Sequence, residues 1–313
     1  MSVQSLPDGE RPLRWRDSDL LYDFLHSPVA LIAAVVTVAI VVLVLGADVI
    51  APYNTNDPAS ANVIDARLPP GAVGLAGERY LLGTDPQGRD LLSAIIFGLR
   101  TSLLVGLGSV LLAATIGITL GLACGYFRGI LDAVVMRIAD VQLSFPAILI
   151  ALLVDGVTRT VVDRTTHDRL AVPVLIVAIA ASYWVQYART VRGLVLVERD
   201  KEYVLAAKVT GVSALRIVAT HIQPNVMGPV LVIATINLAL AILTEATLSF
   251  LGVGVPPTQP SLGTLVRVGN EFLFSGDWWI SIFPGAMLVI LCLAVNLLGD
   301  WLRDALNPKL IDA

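Results

Sequence analysis

Long apolar runs with few or no charged residues recur along the whole chain and leave few folds open to it. A backbone that crosses a lipid bilayer satisfies its hydrogen bonds internally, as a helix, and one crossing needs about 20 predominantly apolar residues. The sequence therefore predicts an all-α, polytopic membrane protein with six transmembrane helices. The predicted spans are 29–47, a part of 101–127, 133–154, 170–188, 225–244 and 278–299.

Composition supports this class and argues against others. Of 313 residues, 56% are hydrophobic and 15% are charged, whereas an average soluble chain carries about 25% charge. The formal net charge of −4 provides no basic field, so nucleic acid is not an expected partner. Two cysteines in apolar surroundings and three scattered histidines predict neither a disulfide framework nor a metal site.

Two apolar segments differ from the others. The run at 133–154 carries Arg137 and Asp140 near its start, so its apolar core begins only at Val141. The uncharged stretch 246–267 is rich in Gly and Pro, which interrupt a helix, and it is expected to form a re-entrant or surface loop instead of a span.

Orientation follows from the distribution of Lys and Arg near the ends of the spans. With the N-terminus inside, the inner segments hold 13 of these residues and the outer segments eight, so both termini are predicted to be cytoplasmic. A cleaved signal peptide ending near 59–61 is the alternative, but the first run is too long for one. The predicted parts are a cytoplasmic tail 1–28, a first transmembrane helix 29–50, an extracytoplasmic loop 51–100, a five-helix core 101–300 with a cytoplasmic loop 189–224, and a cytoplasmic tail 301–313.

The loop 189–224 is the most informative part of the chain because it carries six of the 21 basic residues. Leu205, Val209 and Val212 follow each other at helical spacing and predict a short helix with one apolar stripe. Gly211 can end that helix, and a second helical piece is expected before Pro224. Periodicity alone leaves two interpretations open: a helix–turn–helix knob fixed to a membrane helix, and an amphipathic helix lying on the membrane surface.

The same loop resembles that of the permease subunits of ATP-binding-cassette importers, which carry Glu-Ala-Ala, three residues, Gly, nine residues and Ile-x-Leu-Pro. Ala206, Ala207, Gly211 and Pro224 match this pattern in register. The chain departs from it at the family's Glu, Ile and Leu, and Glu202 lies one turn before the missing Glu. The departures are Leu205, His221 and Gln223.

Motifs elsewhere are similar to one branch of these permeases, the dipeptide/oligopeptide/nickel permeases of the C type. They lie at 82–90, 98–103, 248–254, 284–285 and 296–308. The resemblance covers roughly residues 20–310 and does not extend to 155–169. It implies a type I ABC importer permease fold and the import of dipeptides or oligopeptides, with nickel or glutathione as alternatives within the family.

The resemblance also implies partners and a location. The chain has no Gly-x-x-x-x-Gly-Lys-Ser/Thr loop, so it is expected to be no enzyme and to bind no cofactor, with ATP-Mg used by separate subunits. Expected partners are a second, different permease subunit, two cytoplasmic ATPases, an extracytoplasmic substrate-binding protein and the lipid of the bacterial cytoplasmic membrane. The residues expected to couple to the ATPases are Glu202, Leu205, Ala206, Ala207, Lys208, Gly211 and Pro224.

Three charged residues inside or at the end of predicted spans are candidates for a gate or pathway, because charges in the bilayer are costly. Arg137 and Asp140, three residues apart, alternatively neutralise each other at the inner interface. Glu245, at the end of the fifth span, is expected either to contact a cation or the partner permease, or to be solvated. A secondary transporter fits the composition too, but the sequence has no internal symmetry of the kind that such transporters show.

Overall fold

The structure is a computed structural model that describes residues 24–54, 62–256 and 259–305. Within these ranges the regular elements are helices, accompanied by two isolated β-bridges. The predictions for the N-terminal tail before residue 24, for the 59–61 cleavage site and for the C-terminal tail after residue 305 lie outside the described residues. The α-helices are α1 Pro28–Leu45, α2 Ala47–Ile50, α3 Leu91–Phe127, α4 Gly129–Leu143, α5 Ala147–Val161, α6 Arg164–Glu198, α7 Glu202–Val209, α8 Ala214–Ile217, α9 Gln223–Phe250, α10 Leu262–Phe272 and α11 Trp279–Ala305.

Five helical segments in the described ranges are long and apolar enough to cross a membrane, and a bent pair makes six if it counts as one broken span. The five are α1, α3, α6, α9 together with the short helix before it, and α11. The bent pair is α4 and α5, whose axes differ by 97°. The predicted class of polytopic, all-helical membrane protein is confirmed.

One continuous helix over 133–154 was predicted, and this prediction is wrong. The chain bends at Ser144-Phe145-Pro146, because proline has no N–H for the helix ladder and disfavours helical backbone in the preceding residue. The side chain of Gln142 holds the bend against α6, accepting a 2.8 Å hydrogen bond from Trp184 Nε1 and donating to the carbonyl of Ala181.

The bounds of several other helices also differ from the prediction, beginning with α3. This helix starts at Leu91, inside the segment predicted as loop 51–100, because Asp90 caps it by accepting a 2.8 Å hydrogen bond from Ser93 N. The stretch 246–267 is less of a loop than expected: α9 continues to Phe250 and α10 begins at Leu262. The unmatched segment 155–169 is mostly helical, belonging to α5 and α6.

The centre of the bundle is the parallel contact of α3 with α6. Gly117, Gly121 and Gly125 stand four residues apart on α3, and α6 packs directly on them. A Cβ added at Gly121 would lie 2.7 Å from Val191 Cβ and 2.7 Å from the carbonyl oxygen of Ala188. Small residues at this spacing let membrane helices approach closely, where van der Waals contact drives their association.

Gly121→Ala is expected to destabilise the folded chain by about 1–3 kcal/mol, the range for overpacking a close contact. Thermal unfolding of the purified protein in detergent measures this as a midpoint lowered by several degrees. Gly193→Ala is the matched control, since Gly193 lies in α6 with no atom within 4 Å of its added Cβ. Equal midpoints for the two variants would contradict the close α3–α6 contact.

The two ends of the described chain lie at the same end of the bundle. The rings of Phe24, just before α1, and Trp301, near the end of α11, have centroids 4.8 Å apart. Gly299 of α11 packs on Thr235 of α9, in the half of α9 nearer to α7 and α8. This end, where α7 and α8 form a helical hairpin, is called the hairpin end below. The end with residues 62–90 is called the opposite end.

Candidate functional site

The predicted helix–turn–helix is present as α7 and α8, called the α7–α8 hairpin (202–217). Gly211 follows α7 with φ +79°, a left-handed conformation that glycine adopts without strain. Its N–H donates to the carbonyl of Lys208 and the N–H of Val212 donates to that of Ala207, 3.1 and 3.0 Å apart. This pair of bonds is the Schellman ending of a helix, so Gly211 sets the direction in which the chain leaves α7.

Two of the three residues of the predicted apolar stripe face outward, whereas the third, Val212, packs partly buried against the core. Val204 and Ala207 are the buried residues of α7, whereas Leu205, in the predicted stripe, is 46% exposed. Val209 is 88% exposed and Leu215, in α8, is 76% exposed. Glu202, Ala206 and Lys208 are also exposed. The hairpin therefore presents apolar side chains that are exposed in the part of the chain that the structure describes.

Contacts to the end of α3 fix one side of the hairpin. Arg199 Nη1 donates to the carbonyl of Tyr126 at 2.8 Å and to that of Gly125 at 3.4 Å, satisfying carbonyls in the last turn of α3. The ammonium of Lys208 lies 5.4 Å from the centroid of the Tyr126 ring. Lys208, predicted to act in coupling, thus joins the hairpin to α3.

A polar network around Tyr203 fixes the other side, to α6 and α9. The Tyr203 hydroxyl donates to Glu198 at the end of α6 and accepts a 3.0 Å hydrogen bond from Asn225 Nδ2 at the start of α9. Lys201 Nζ lies 2.8 Å from Glu198. Burial and the bond to Glu198 raise the pKa of Tyr203, and the bond from Lys201 to the same carboxylate raises the pKa of Lys201. Both groups therefore keep the protons that they donate.

The sequence predicted that Pro224 separates the second helical piece from the fifth span, but it does not. α8 continues through a π-helical turn, Val218–Ile222, into α9, where Pro224 occupies the first turn. Proline is tolerated there because the first N–H groups of a helix have no intrahelical acceptor. α8 consequently runs into the fifth span without a loop between them, and π-turns of this kind are frequent at functional positions.

The charges of the third predicted span lie at the hairpin end. Asp140 is paired with Arg189 of α6, not with Arg137 as expected; Arg137 is exposed on the same helix. Asp132 forms a bidentate pair with Arg192, at 2.5 and 2.7 Å. Two Asp–Arg pairs thus hold α4 against α6 beside the hairpin.

Glu245 is not solvated, and the donors that the described residues give its carboxylate are serine hydroxyls. It is fully buried in α9 near the opposite end, where Ser102 Oγ of α3 and Ser249 Oγ each donate to it at 2.7 Å. Ser261, the N-cap of α10, also interacts with its carboxyl group. Ser102 and Ser249 belong to the motifs 98–103 and 248–254, so Glu245 joins two motifs that are remote in the sequence.

Several of these contacts could not be read from the sequence. The Tyr203 network and the Asp132–Arg192 pair join elements far apart in the chain, and no local pattern marks them. The spacing of four between the glycines of α3 was a sequence signal that could have predicted its close packing against another helix.

Known proteins give this geometry a context. The family model described as "Binding-protein-dependent transport system inner membrane component" matches residues 117–312, and that described as "N-terminal TM domain of oligopeptide transport permease C" matches 14–70. A putative peptide transport system permease protein of Brucella suis is 40% identical over 87% of this chain and 86% of its own length. The dipeptide transport system permease protein DppC of Haemophilus influenzae is 37% identical over 90% of both chains.

More distant comparisons agree. The oligopeptide transport system permease protein OppC of Bacillus subtilis is 33% identical over 95% of this chain and 90% of its own. A chain from the inward-facing MetNI methionine ABC transporter is 20% identical and superposes with a TM-score of 0.55 over 69% of this chain and 98% of its own, which shows the fold. The family model that covers residues 117–312 and relatives alike over nearly the whole chain establish that this protein belongs to the family of binding-protein-dependent transport system inner membrane components.

Proposed function

We propose that this chain is a permease subunit of an ATP-binding-cassette importer that moves dipeptides or oligopeptides across the bacterial cytoplasmic membrane. The observation that carries the proposal is the α7–α8 hairpin, anchored to neighbouring helices and with exposed apolar residues, in a chain whose relatives are named peptide transport permeases. The chain is proposed to carry no ATPase site itself. Its partners would be two ATPase subunits that use ATP-Mg, a second and different permease, and an extracytoplasmic binding protein.

In this proposal the hairpin end is cytoplasmic and both chain termini lie there. The density of basic residues in loop 189–224 supports that orientation, since cytoplasmic loops carry an excess of Lys and Arg. The contact between Phe24 and Trp301 supports placing the start of the first span and the end of the last span on the same side of the membrane. Residues 62–90 would then face the binding protein.

The hairpin can transmit motion because it is attached on three sides. Lys208 attaches it to α3, beside the bond that Arg199 makes from the end of α6 to the same helix. Tyr203 attaches it to α6 and α9, and the π-turn makes α8 continuous with α9. A partner that holds the hairpin differently in its ATP-bound and ATP-free states would favour different arrangements of these helices. Such differential contact is what conformational driving requires.

Deleting the gene is expected to abolish ATP-dependent uptake of a labelled dipeptide by cells. Uptake is measured with and without ATP depletion, and labelled nickel ions are followed in parallel. Restoring the wild-type gene is the control for effects on neighbouring genes. Unchanged dipeptide uptake combined with lost nickel uptake would contradict the proposed substrate, while leaving the importer assignment in place.

A further inference from the structure

A cleft lies at the opposite end of the bundle, away from the hairpin. It is a cavity of about 420 Å³ between the first turns of α3, the start of α6 and the segment that leads into α10. Arg100, Thr101 and Gln259 provide its polar lining, and Phe97, Leu104 and Val172 are among its apolar residues. Clefts of this size with apolar walls and a few convergent polar groups are typical binding sites for small molecules.

The buried Glu245 cluster supports both walls of this cleft. Ser102, which donates to Glu245, directly follows Thr101 on one wall, and the N–H of Leu262 donates to Ser102 Oγ at 3.3 Å. Ser261, which also interacts with Glu245, lies two residues after Gln259 on the other wall. Fully buried hydrogen bonds therefore join the α3 side of the cleft to the start of α10.

Arg100 is the charged residue among those that line the cleft in the described part of the chain. Its side chain is 49% exposed, and Nη1 lies 3.1 Å from Asp48 Oδ2. A guanidinium has five N–H donors, so this single contact leaves donors for a second acceptor. The exposed Asp48 holds Arg100 weakly, because ion pairs in contact with solvent contribute at most about 1 kcal/mol.

We propose that this cleft is a peptide subsite in which Arg100 binds the C-terminal carboxylate of the transported peptide. This role of Arg100 rests on the proposed function, and the carboxylate that it binds is a feature shared by all unmodified peptides. Arg binds carboxylates in a bidentate geometry, the Gln259 amide can pair with a peptide group, and the apolar walls accept varied side chains. Such a site selects for the end of a peptide and is tolerant of its sequence.

The test uses the complete complex in proteoliposomes, with labelled Ala-Phe and its C-terminal amide supplied at concentrations that saturate the binding protein. Arg100→Gln is expected to lower ATP-driven uptake of the free acid about tenfold or more, as loss of a charged hydrogen bond does, and to change uptake of the amide little. Arg100→Lys should restore part of the loss because it keeps the charge. Arg169→Gln, an exposed arginine near the start of α6 that does not line the cleft, is the matched control.

Two further arms separate the carboxylate from other partners of Arg100. Asp48→Asn is expected to leave uptake of the free acid unchanged or raised, whereas a loss equal to that of Arg100→Gln would show that the ion pair is what matters and would overturn the inference. A defect of Arg100→Gln that disappears in pure phosphatidylcholine vesicles would assign Arg100 to an anionic lipid headgroup, again overturning it. Absence of peptide uptake by the wild-type complex would overturn the proposed function and this inference with it.

Discussion

Val209→Asp is expected to abolish ATP-driven peptide uptake while leaving the chain folded in the membrane. Val209 is 88% exposed and makes no part of the core, so a carboxylate there costs the isolated subunit little. In the proposed complex the same carboxylate would be buried without a partner in the ATPase cleft. Truncating a central interface residue costs about 2 kcal/mol or more, and an unpaired buried charge costs more. Co-purification of the ATPase subunits and uptake into proteoliposomes measure the effect.

Val73→Asp is the matched control, because Val73 is 62% exposed but lies at the opposite end of the bundle. It should leave co-purification of the ATPases unchanged. If Val209→Asp retained both the ATPases and full uptake, the hairpin would not be the docking element. Its apolar face would then have to rest on the membrane surface, the alternative that periodicity left open.

The number and order of the spans followed from apolar length, since the bilayer imposes that length on each helix. The break in the third span did not follow, although Pro146 was visible, because proline is tolerated in membrane helices when neighbouring groups satisfy the freed backbone. Here the chain bends by 97° and Gln142 secures the bend to α6. That contact depends on residues about 40 positions away, beyond the reach of any local pattern.

The hairpin illustrates the same limit at the candidate site. The spacing of Leu205, Val209 and Val212 predicted a short helix, which is present as α7, but α7 ends at Val209 and Val212 lies beyond it, packed against the core. Periodicity identifies a face but does not identify what covers it, and the face packed against this chain is that of Val204 and Ala207. Residues that meet partners in a complex therefore look, in sequence, like residues of a core.

Glu245→Ala is expected to have the largest effect on stability of any single change discussed. It removes the acceptor that Ser102 Oγ and Ser249 Oγ share at 2.7 Å each, and it leaves these buried hydroxyls beside a new void. An unsatisfied buried polar group costs about 1–3 kcal/mol, and the void adds to this. We expect a total loss of at least about 3 kcal/mol, seen as a thermal midpoint lowered by about 10 °C in detergent, together with lost uptake.

Glu245→Gln separates hydrogen bonding from charge. The amide keeps one acceptor oxygen, and a serine hydroxyl can turn to accept from the new NH₂ group, so this variant should recover most of the lost stability. Glu271→Ala is the matched control, since Glu271 is exposed in the neighbouring helix α10, and its midpoint should equal that of the wild type. A Glu245→Ala midpoint equal to that of Glu271→Ala would contradict a supporting role for the buried cluster. If Glu245→Gln were as damaging as Glu245→Ala, the negative charge itself would be required, and hydrogen bonding to the three helices that meet there would not explain the position.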